Sequence, residues 1–257
     1  MMFATGLGMT APAQAGQVEV LWLGQATVRI TSTEGKVIVI DPFLRKNPKT
    51  PAAYKDLKAL GKVDLILVTH GHFDHVADVG ASAKMHDAKV VGNGALPHQM
   101  ITKGQGISMN TSGTIQPLPG IKIHMVPAEH SSALTVQDPE TKKRLRVYGG
   151  MPVGYVVELE NGFKIYHSGD TGVFSDMALI HKMFPPDLSL VAIGGHFTMD
   201  PAGAALAVRD YLKPAQVIPI HYGTFPPLKG TPAQFKAALG TTTIKVLDVM
   251  PGDSVKF

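Results

Sequence analysis

The 257-residue chain contains no cysteine, and this absence excludes several kinds of chemistry. It rules out disulfide bonds, thiolate metal ligands and a cysteine nucleophile. Aromatic residues make up only 7% of the chain and are not interleaved with basic residues, which argues against a groove that stacks single-stranded nucleic acid. No apolar run approaches the roughly 18 residues that a membrane-spanning helix requires. The chemistry must therefore come from other side chains.

Charged residues are also scarce, at 17%, whereas 44% of the residues are hydrophobic. A chain of this length and composition can bury a large core and is not expected to be disordered. The formal net charge is only +4. The densest basic run, at residues 142–146, is more typical of a solvated hairpin than of a nucleic-acid patch. Nucleic acid is therefore not an expected partner.

The first fifteen residues are apolar and mostly small. Ala13-Gln14-Ala15 has the small–x–small form of a signal-peptidase site, but the positively charged segment that begins a signal sequence is missing. We predict a truncated signal or leader at residues 1–15, followed by a single domain at residues 16–257. This interpretation predicts a periplasmic or exported protein. A flexible leader on a cytoplasmic protein is the alternative.

A cluster of metal-binding side chains, THGHFDH, occupies residues 69–75. It follows an apolar run rich in β-branched residues, which is typical of a buried strand. Side chains two apart in an extended segment point the same way, so His70 and His72 can reach one point. A turn into a helix then presents Asp74 and His75 to a neighbouring point, and these donors suit zinc or a similar dication. A chance cluster at a helix N-terminus, capped by Asp74, is the alternative.

The predicted elements form two halves, each with meander strands first and strand–helix units later. Helices are predicted at residues 52–60, 73–85, 97–103, 174–183, 202–212 and 231–239. Residues 131–152 are polar and are predicted to be a loop. Asn161-Gly162 gives the strongest hairpin signal in the chain. One domain of two sheets with helices outside is the expected arrangement.

Six apolar runs each end on a potential metal ligand. The residues at these ends are Asp41, His70, His130, Asp170, His196 and His221. Functional sites in sheet proteins with outer helices gather beyond the carboxyl ends of the strands. Six separate runs that end in this way are much less expected by chance than any single motif, and they predict one shared site.

The motif His-x-His-x-Asp-His, followed by an isolated His, a Gly-Asp-Thr and a late His, resembles the metallo-β-lactamase fold superfamily. Four further segments are similar to its branch of metal-dependent hydrolases, which is related to L-ascorbate-6-phosphate lactonase and to N-acyl-phosphatidylethanolamine phospholipase D. These segments are Trp22-Leu23-Gly24, Ile40-Asp41-Pro42, the stretch 194–199 and the stretch 221–225. The resemblance implies an α/β fold, a four-layer αβ/βα sandwich of two mixed β-sheets with helices on the outer faces.

The resemblance also implies a binuclear metal centre. His70, His72 and His130 would bind one ion, Asp74, His75 and His221 the second, and Asp170 would bridge the two. Two zinc ions are the default, although these nitrogen and oxygen ligands also admit Mn, Fe, Co or Ni. Two dications against two carboxylates leave a formal charge of +2, which favours a bridging hydroxide. That hydroxide would attack an ester, lactone or phosphodiester of a small-molecule or lipid-like substrate.

Three residues have more tentative functions in this scheme. Asp74 would also orient the hydroxide or accept a proton during turnover. His196 would donate a hydrogen bond to the substrate or protonate the leaving group, or else bond to a ligand or to the backbone. Asp41 would orient a metal-binding His. Gln25 stands where this branch often has His, and Met151, Met199 and Phe225 are candidates for the pocket wall.

Two other functions compete with that of a small-molecule hydrolase. A nuclease of the same fold acting on RNA would need a basic exosite, and no inserted basic arm is visible. A non-catalytic metal-binding protein would bind metal without turnover. The absence of cysteine, together with Asp170 as the bridge, argues against the zinc β-lactamases that use a cysteine ligand.

Overall fold

The computed structural model describes residues 16–94, 96–100 and 105–257. The predicted leader at residues 1–15 and the predicted helical residues 101–103 lie outside this part of the chain. Within it, no helix has the length and apolar character needed to cross a membrane.

Sixteen strands and six α-helices form within the described residues. The strands are β1 (Glu19–Trp22), β2 (Val28–Thr31), β3 (Val37–Ile40), β4 (Leu65–Leu67), β5 (Lys89–Asn93), β6 (Gly106–Met109), β7 (Thr114–Leu118), β8 (Ile121–Pro127), β9 (Ala133–Gln137), β10 (Arg144–Tyr148), β11 (Val153–Glu158), β12 (Lys164–His167), β13 (Leu188–Ala192), β14 (Gln216–Ile220), β15 (Lys245–Val246) and β16 (Ser254–Lys256). The α-helices are α1 (Phe73–Val76), α2 (Val79–His86), α3 (Leu96–Met100), α4 (Met177–Met183), α5 (Pro201–Leu206) and α6 (Pro232–Leu239).

Two seven-stranded sheets contain all but two of these strands. The first has the order β16-β1-β2-β3-β4-β5-β6, and the second has the order β15-β14-β13-β12-β11-β8-β7. In the first sheet, β16 and β1 to β3 pair antiparallel and β3 to β6 pair parallel. In the second, β7, β8, β11 and β12 pair antiparallel and β12 to β15 pair parallel. Both sheets are mixed, as predicted.

The apolar runs of the parallel strands are continuous because both of their faces are buried. In β4, Leu65 and Leu67 belong to the core between the two sheets. Ile66 lies on the other face and belongs to an outer core that includes Val79 of α2. The first sheet therefore has the second sheet on one face and a helix on the other.

The second sheet follows the same rule. Leu190 of β13 joins the core between the sheets, whereas its neighbour Val191 joins an outer core with Met177 of α4 and Phe235 of α6. The molecule thus has the order helix, sheet, sheet, helix. The predicted four-layer αβ/βα sandwich is confirmed.

Three predicted helices are not continuous. The range 52–60 forms 3₁₀-helices at Ala52–Lys55 and Leu57–Leu60, the range 73–85 forms α1 and α2, and the range 202–212 combines α5 with a π-helix at Ala207–Leu212. Asp56 is extended and its carboxylate accepts the Lys58 N–H, which separates the first pair. Between α1 and α2, the Asp78 carboxylate accepts the Leu44 N–H at 2.6 Å. This tertiary contact could not be predicted from local periodicity.

The prediction that residues 131–152 form a loop is wrong. β9 and β10 pair antiparallel as a separate two-stranded sheet. Leu134 belongs to the outer core of the first sheet, and Val136 and Val147 pack against that core. These apolar side chains hold the hairpin against the outer core of the first sheet, whereas Arg144 and Arg146 of β10 are exposed. The interpretation of this basic run as a solvated hairpin is confirmed.

Candidate metal centre

The predicted metal ligands follow the ends of separate strands of the two sheets. His70 follows β4, His130 follows β8, Asp170 follows β12, and His221 follows β14 directly. Because β12, β13 and β14 are parallel neighbours, their carboxyl ends lie at one edge of the second sheet, where sites are expected in such folds. The residues from β4 and α1 of the first sheet meet them there.

The side chains converge in three overlapping groups, in each of which one potential ligand atom per residue lies within 4.8 Å of the others. The groups are His70, His72 and His130; Asp74, His75 and His221; and His70, His75 and Asp170. All seven predicted ligands are therefore brought together. Their function as ligands stays a prediction.

The first group has the spacing of nitrogens that share one ion. His72 Nδ1 lies 2.9 Å from His70 Nε2 and 3.3 Å from His130 Nε2. Nitrogens bound tetrahedrally to one zinc at 2.0–2.1 Å are about 3.3 Å apart. The three nitrogens thus fit a single small cation.

Asp170 lies between the two groups, with one oxygen toward each. Its Oδ2 is 3.6 Å from His130 Nε2 and 4.0 Å from His70 Nε2. Its Oδ1 is 3.1 Å from His221 Nε2 and 3.3 Å from His75 Nε2. A carboxylate in this position can contribute one oxygen to each of two ions.

The buried atoms at the centre lack ordinary partners. Among the described residues, His75 Nε2 and Asp170 Oδ1 are buried and form no hydrogen bond. Buried polar atoms are normally hydrogen-bonded, and an exception needs an explanation. A cation between them would satisfy both atoms. The residues present therefore fit a metal.

The charges around the first group favour neutral imidazoles. Burial, together with the charge of His75, lowers the pKa of His70 well below its usual value. Burial also lowers the pKa values of His72 and His130. Neutral imidazoles have a lone pair available for a metal.

The second group favours positive charge. Burial would lower the pKa of His75, but three neighbouring carboxylates outweigh burial and raise the pKa well above its usual value. These carboxylates belong to Asp170, Asp41 and Asp74. For His221 the charge of Asp170 outweighs burial, and its pKa rises to about 9. A dication would supply the positive charge that the carboxylates favour and would leave both imidazoles neutral.

The carboxylate of Asp41 contacts His75 of the second group directly and His70 of the first group through Thr69. Its Oδ2 lies 2.7 Å from His75 Nδ1 and accepts the Thr69 hydroxyl at 2.6 Å, while its Oδ1 accepts the Thr69 N–H at 2.8 Å. Because the carboxylate only accepts, the neutral His75 that a bound cation would favour has its proton on Nδ1 and its Nε2 lone pair on the side of Asp170. Thr69 Oγ1 lies 3.0 Å from His70 Nδ1 and can fix that ring in the same way. Contacts of this kind orient metal-binding imidazoles.

Gln25 is completely buried at the second group. Its Nε2 donates to Asp74 Oδ2 at 2.8 Å and lies 2.7 Å from His221 Nε2. Its backbone carbonyl accepts the His221 N–H and the Trp22 indole N–H. In the sequence, only the resemblance to the metal-dependent hydrolases drew attention to position 25. The contacts of Gln25 depend on its positive φ of 52° in the turn after β1.

His196 does not join the other predicted residues. It is exposed, has a φ of 61°, and its ring centroid lies 4.3 Å from that of Phe197. Phe197, and not His196, lines the cavity over the metal-binding side chains. The turn needs glycine before it, since a Cβ at Gly194 would collide with the His221 carbonyl oxygen. A catalytic function of His196 has no support from this placement.

The cavity over the cluster has a volume of about 380 Å³. Its floor contains His72, Asp74, His130, Asp170 and His221, and its walls contain Phe73, Ser131, Arg146, Phe197, Phe225 and Leu228. Of the wall candidates named from the sequence, Phe225 lines the cavity, Met199 belongs to the outer core and Met151 is exposed. Sequence reasoning missed Arg146 because its segment was interpreted as a loop.

Comparison with known families agrees with this geometry. The family model described as the beta-lactamase superfamily domain matches residues 36–222. The chain belongs to this superfamily, and it has the metallo-β-lactamase fold.

Within the superfamily the protein is a metal-dependent hydrolase. A UPF0173 metal-dependent hydrolase of Cupriavidus metallidurans is 53% identical over 252 residues, covering 94% of this chain and 86% of that one. Another, from a Polaromonas species, is 51% identical over 257 residues, covering 96% of this chain and 92% of that one. The structure of Igni18, a metallo hydrolase from Ignicoccus hospitalis, has a TM-score of 0.79 and 32% identity and covers 94% of this chain and 98% of that one. The resemblance found in the motifs is confirmed.

Proposed function

We propose that the protein is a binuclear hydrolase that cleaves an ester, lactone or phosphodiester bond of a small molecule. The observation that carries this proposal is the position of Asp170, whose two oxygens face two separate groups of ligand atoms. A mononuclear site would need only one of these groups. A mononuclear site would not require the buried imidazoles of His75 and His221 to lie beside the second oxygen of Asp170.

The first ion would be held by His70, His72 and His130, and the second by Asp74, His75 and His221, with Asp170 shared. Two dications held by these residues would supply Lewis-acid chemistry, which lowers the pKa of water toward neutrality and makes hydroxide available as the nucleophile. Zinc is the default ion, and Mn, Fe, Co or Ni would also suit these ligands.

The residues of the chain have distinct functions in the reaction. The oxygen of water forms a bond to the carbonyl carbon or phosphorus, the bond to the leaving alkoxide breaks, and a proton passes to that alkoxide. Asp74 lines the cavity and stays ionised, because the charges of His75 and His221 outweigh burial and lower its pKa. It can therefore accept a hydrogen bond from the attacking water and orient it.

A metal titration paired with a substrate panel tests this function. Metal-free protein, prepared with a chelator, should bind two equivalents of zinc or manganese per chain and should regain turnover only with the second equivalent. The panel contains lactones, carboxylic esters, thioesters and phosphodiesters, with the metal salt alone as control. Full activity at one equivalent would refute the binuclear mechanism. Two bound ions with no turnover on any member would favour a non-catalytic metal-binding protein.

Gln25 offers a test that does not depend on turnover. Gln25→Leu keeps the shape of the side chain but removes the amide that donates to Asp74 Oδ2. We expect the affinity for the second equivalent of metal to fall by about 10- to 100-fold, as for other residues that orient ligands, and that for the first equivalent to change much less. Calorimetric titration measures both, and the exposed Gln17 supplies the control Gln17→Leu. Unchanged affinity for the second ion would show that Gln25 does not position Asp74.

A further inference from the structure

The cavity above the metal-binding side chains has an apolar wall that is partly open to solvent. Phe73 and Phe197 are 61% and 55% exposed, although both are large aromatic side chains. The half-buried Phe225 and the buried Leu228 also line the cavity. Exposed aromatic residues at the mouth of a concave site typically mark a surface that binds a ligand. Phe73 and Phe197 in particular expose more surface than packing within the fold requires.

Two of the aromatic side chains of this wall, Phe73 and Phe225, are held in place by ring contacts. The Phe73 ring lies 5.9 Å from the Phe225 ring, and both lie within 6.3 Å of the Phe43 ring. Phe43 is only 2% exposed and anchors the other two. Edge-to-face and tilted pairs at these distances are mutually attractive. A rigid aromatic wall selects a flat or branched apolar group, because it cannot collapse to fill the space itself.

Among the described residues, Arg146 is the one arginine or lysine that lines this cavity. Three of the other four arginines form salt bridges with carboxylates, Arg29 with Glu19, Arg45 with Asp78, and Arg209 with Asp210, whereas Arg144 is exposed outside the cavity lining. Among the residues that the structure describes, no carboxylate pairs with Arg146. Guanidinium groups bind carboxylate and phosphate oxygens in a bidentate manner. The cavity therefore offers a binding group for an anion beside its apolar wall.

From these observations we infer that the substrate is a small amphiphilic anion. Its aromatic or branched aliphatic group packs on Phe73, Phe197 and Phe225, and one carboxylate or phosphate group pairs with Arg146. The bond to be cleaved lies between these two parts, above Asp170. This inference rests on the proposed hydrolase function and specifies its substrate class. A cavity of about 380 Å³ is near the lower end of the range for small-molecule sites, which limits the size of the substrate.

Three esters that differ only in charge test the pairing with Arg146. They are a neutral aryl ester and two derivatives of it, one with a carboxylate and one with a phosphate. In both derivatives the charge lies on the other side of the scissile bond from the aryl group. In the metal-loaded wild-type protein, kcat/KM should be higher for an anionic ester than for the neutral one by about 10- to 100-fold, the value of a hydrogen bond to a charged group. The anion that gives the larger ratio identifies the natural group.

Arg146→Gln should reduce this ratio to about one. Lys143→Gln, which removes an exposed charge of the same hairpin outside the cavity lining, should leave the ratio as in the wild type. Equal turnover of neutral and anionic esters by the wild type, or a ratio that Arg146→Gln does not change, would overturn the inference.

Phe197→Ala tests the apolar wall separately. It should lower the preference for an aryl ester over an acetyl ester by roughly three- to tenfold, whereas Leu179→Ala, at a position that is 50% exposed on α4, should not. Selectivity that stays the same in Phe197→Ala would remove the aromatic wall from substrate recognition.

Binding of a molecule that cannot be hydrolysed separates this inference from the proposed function. Phenylacetate or benzylphosphonate should bind the metal-loaded protein more tightly than benzyl alcohol, and Arg146→Gln should abolish the difference. Such binding without hydrolysis of any ester would refute the hydrolase function and keep the recognition of an amphiphilic anion. Hydrolysis without any dependence on charge would keep the hydrolase function and refute the substrate class.

Discussion

Replacing Asp170 with Asn will abolish tight binding of the second metal ion and reduce turnover by roughly 1,000-fold or more. Asn has one carbonyl oxygen and one amide NH₂ group, so only one of the two groups of imidazoles still faces an acceptor. The other group faces a donor, which repels a cation. The change also removes the charge of one of the two carboxylates proposed as ligands, and metal ions contribute several kcal/mol of transition-state stabilisation, at about 1.4 kcal/mol for each factor of ten.

The measurement is the number of tightly bound ions per chain, together with kcat/KM on the most active substrate. Asp176→Asn is the matched control, since this carboxylate lies only six residues away but is exposed at the start of α4. It should bind two ions with unchanged affinity. Two tightly bound ions and normal turnover in Asp170→Asn would contradict the whole site, because no other described carboxylate lies between the two groups.

The positions of the predicted ligands followed from the sequence because their strands are buried on both faces. Every residue of a run such as Leu65, Ile66 and Leu67 is hydrophobic, because successive side chains face the inner core and an outer core in turn. Such runs have clear ends, and a polar residue directly after one must lie at the edge of the sheet. His70, Asp170 and His221 fit this pattern, since each comes within three residues of the end of β4, β12 or β14.

The same reasoning fails where the chain leaves regular geometry. After β13, Gly195 and His196 both have positive φ values, of 72° and 61°, and the alternation of side chains in a strand no longer holds. Phe197 consequently faces the cavity in place of His196. Gln25 lies in a turn of the same kind. At such turns the direction of a side chain depends on two or three dihedral angles that hydrophobic patterns do not report.

Arg146 shows a second reason why parts of the site could not be predicted. Its strand β10 forms because Val147 packs against an outer core built from residues far along the chain. The local sequence is polar and contains turn residues, so its composition indicates a loop. The register with β9, where Arg146 is opposite Thr135, determines which side chain lines the cavity. Ligands at the ends of strands could thus be predicted, whereas the substrate-facing wall could not.

Asp41→Asn will weaken binding at the second metal site while leaving the fold intact. Asparagine tolerates the positive φ of 47° at this position, and its oxygen can still accept the Thr69 N–H. Its amide NH₂ then takes the place of Oδ2, 2.7 Å from His75 Nδ1. Two donors cannot face each other, so His75 must move its proton to Nε2, the atom that faces Asp170. An imidazole with the proton on the metal-facing nitrogen is not a ligand, just as a base in the wrong tautomer is not a catalyst.

The expected result is a fall of about 10- to 100-fold in the affinity for the second ion and a loss of roughly 1–3 kcal/mol in the free energy of unfolding of the metal-free protein. Titration calorimetry and denaturant unfolding measure these two quantities, and nitrogen NMR of His75 reports its tautomer. Asp78→Asn is the control, because this buried carboxylate accepts two backbone N–H groups, of Leu44 and Arg45, away from the ligands. It should lose stability without losing metal affinity. If Asp41→Asn and Asp78→Asn lose stability alike and neither loses metal affinity, then Asp41 stabilises the turn before Thr69 and does not set the tautomer of His75.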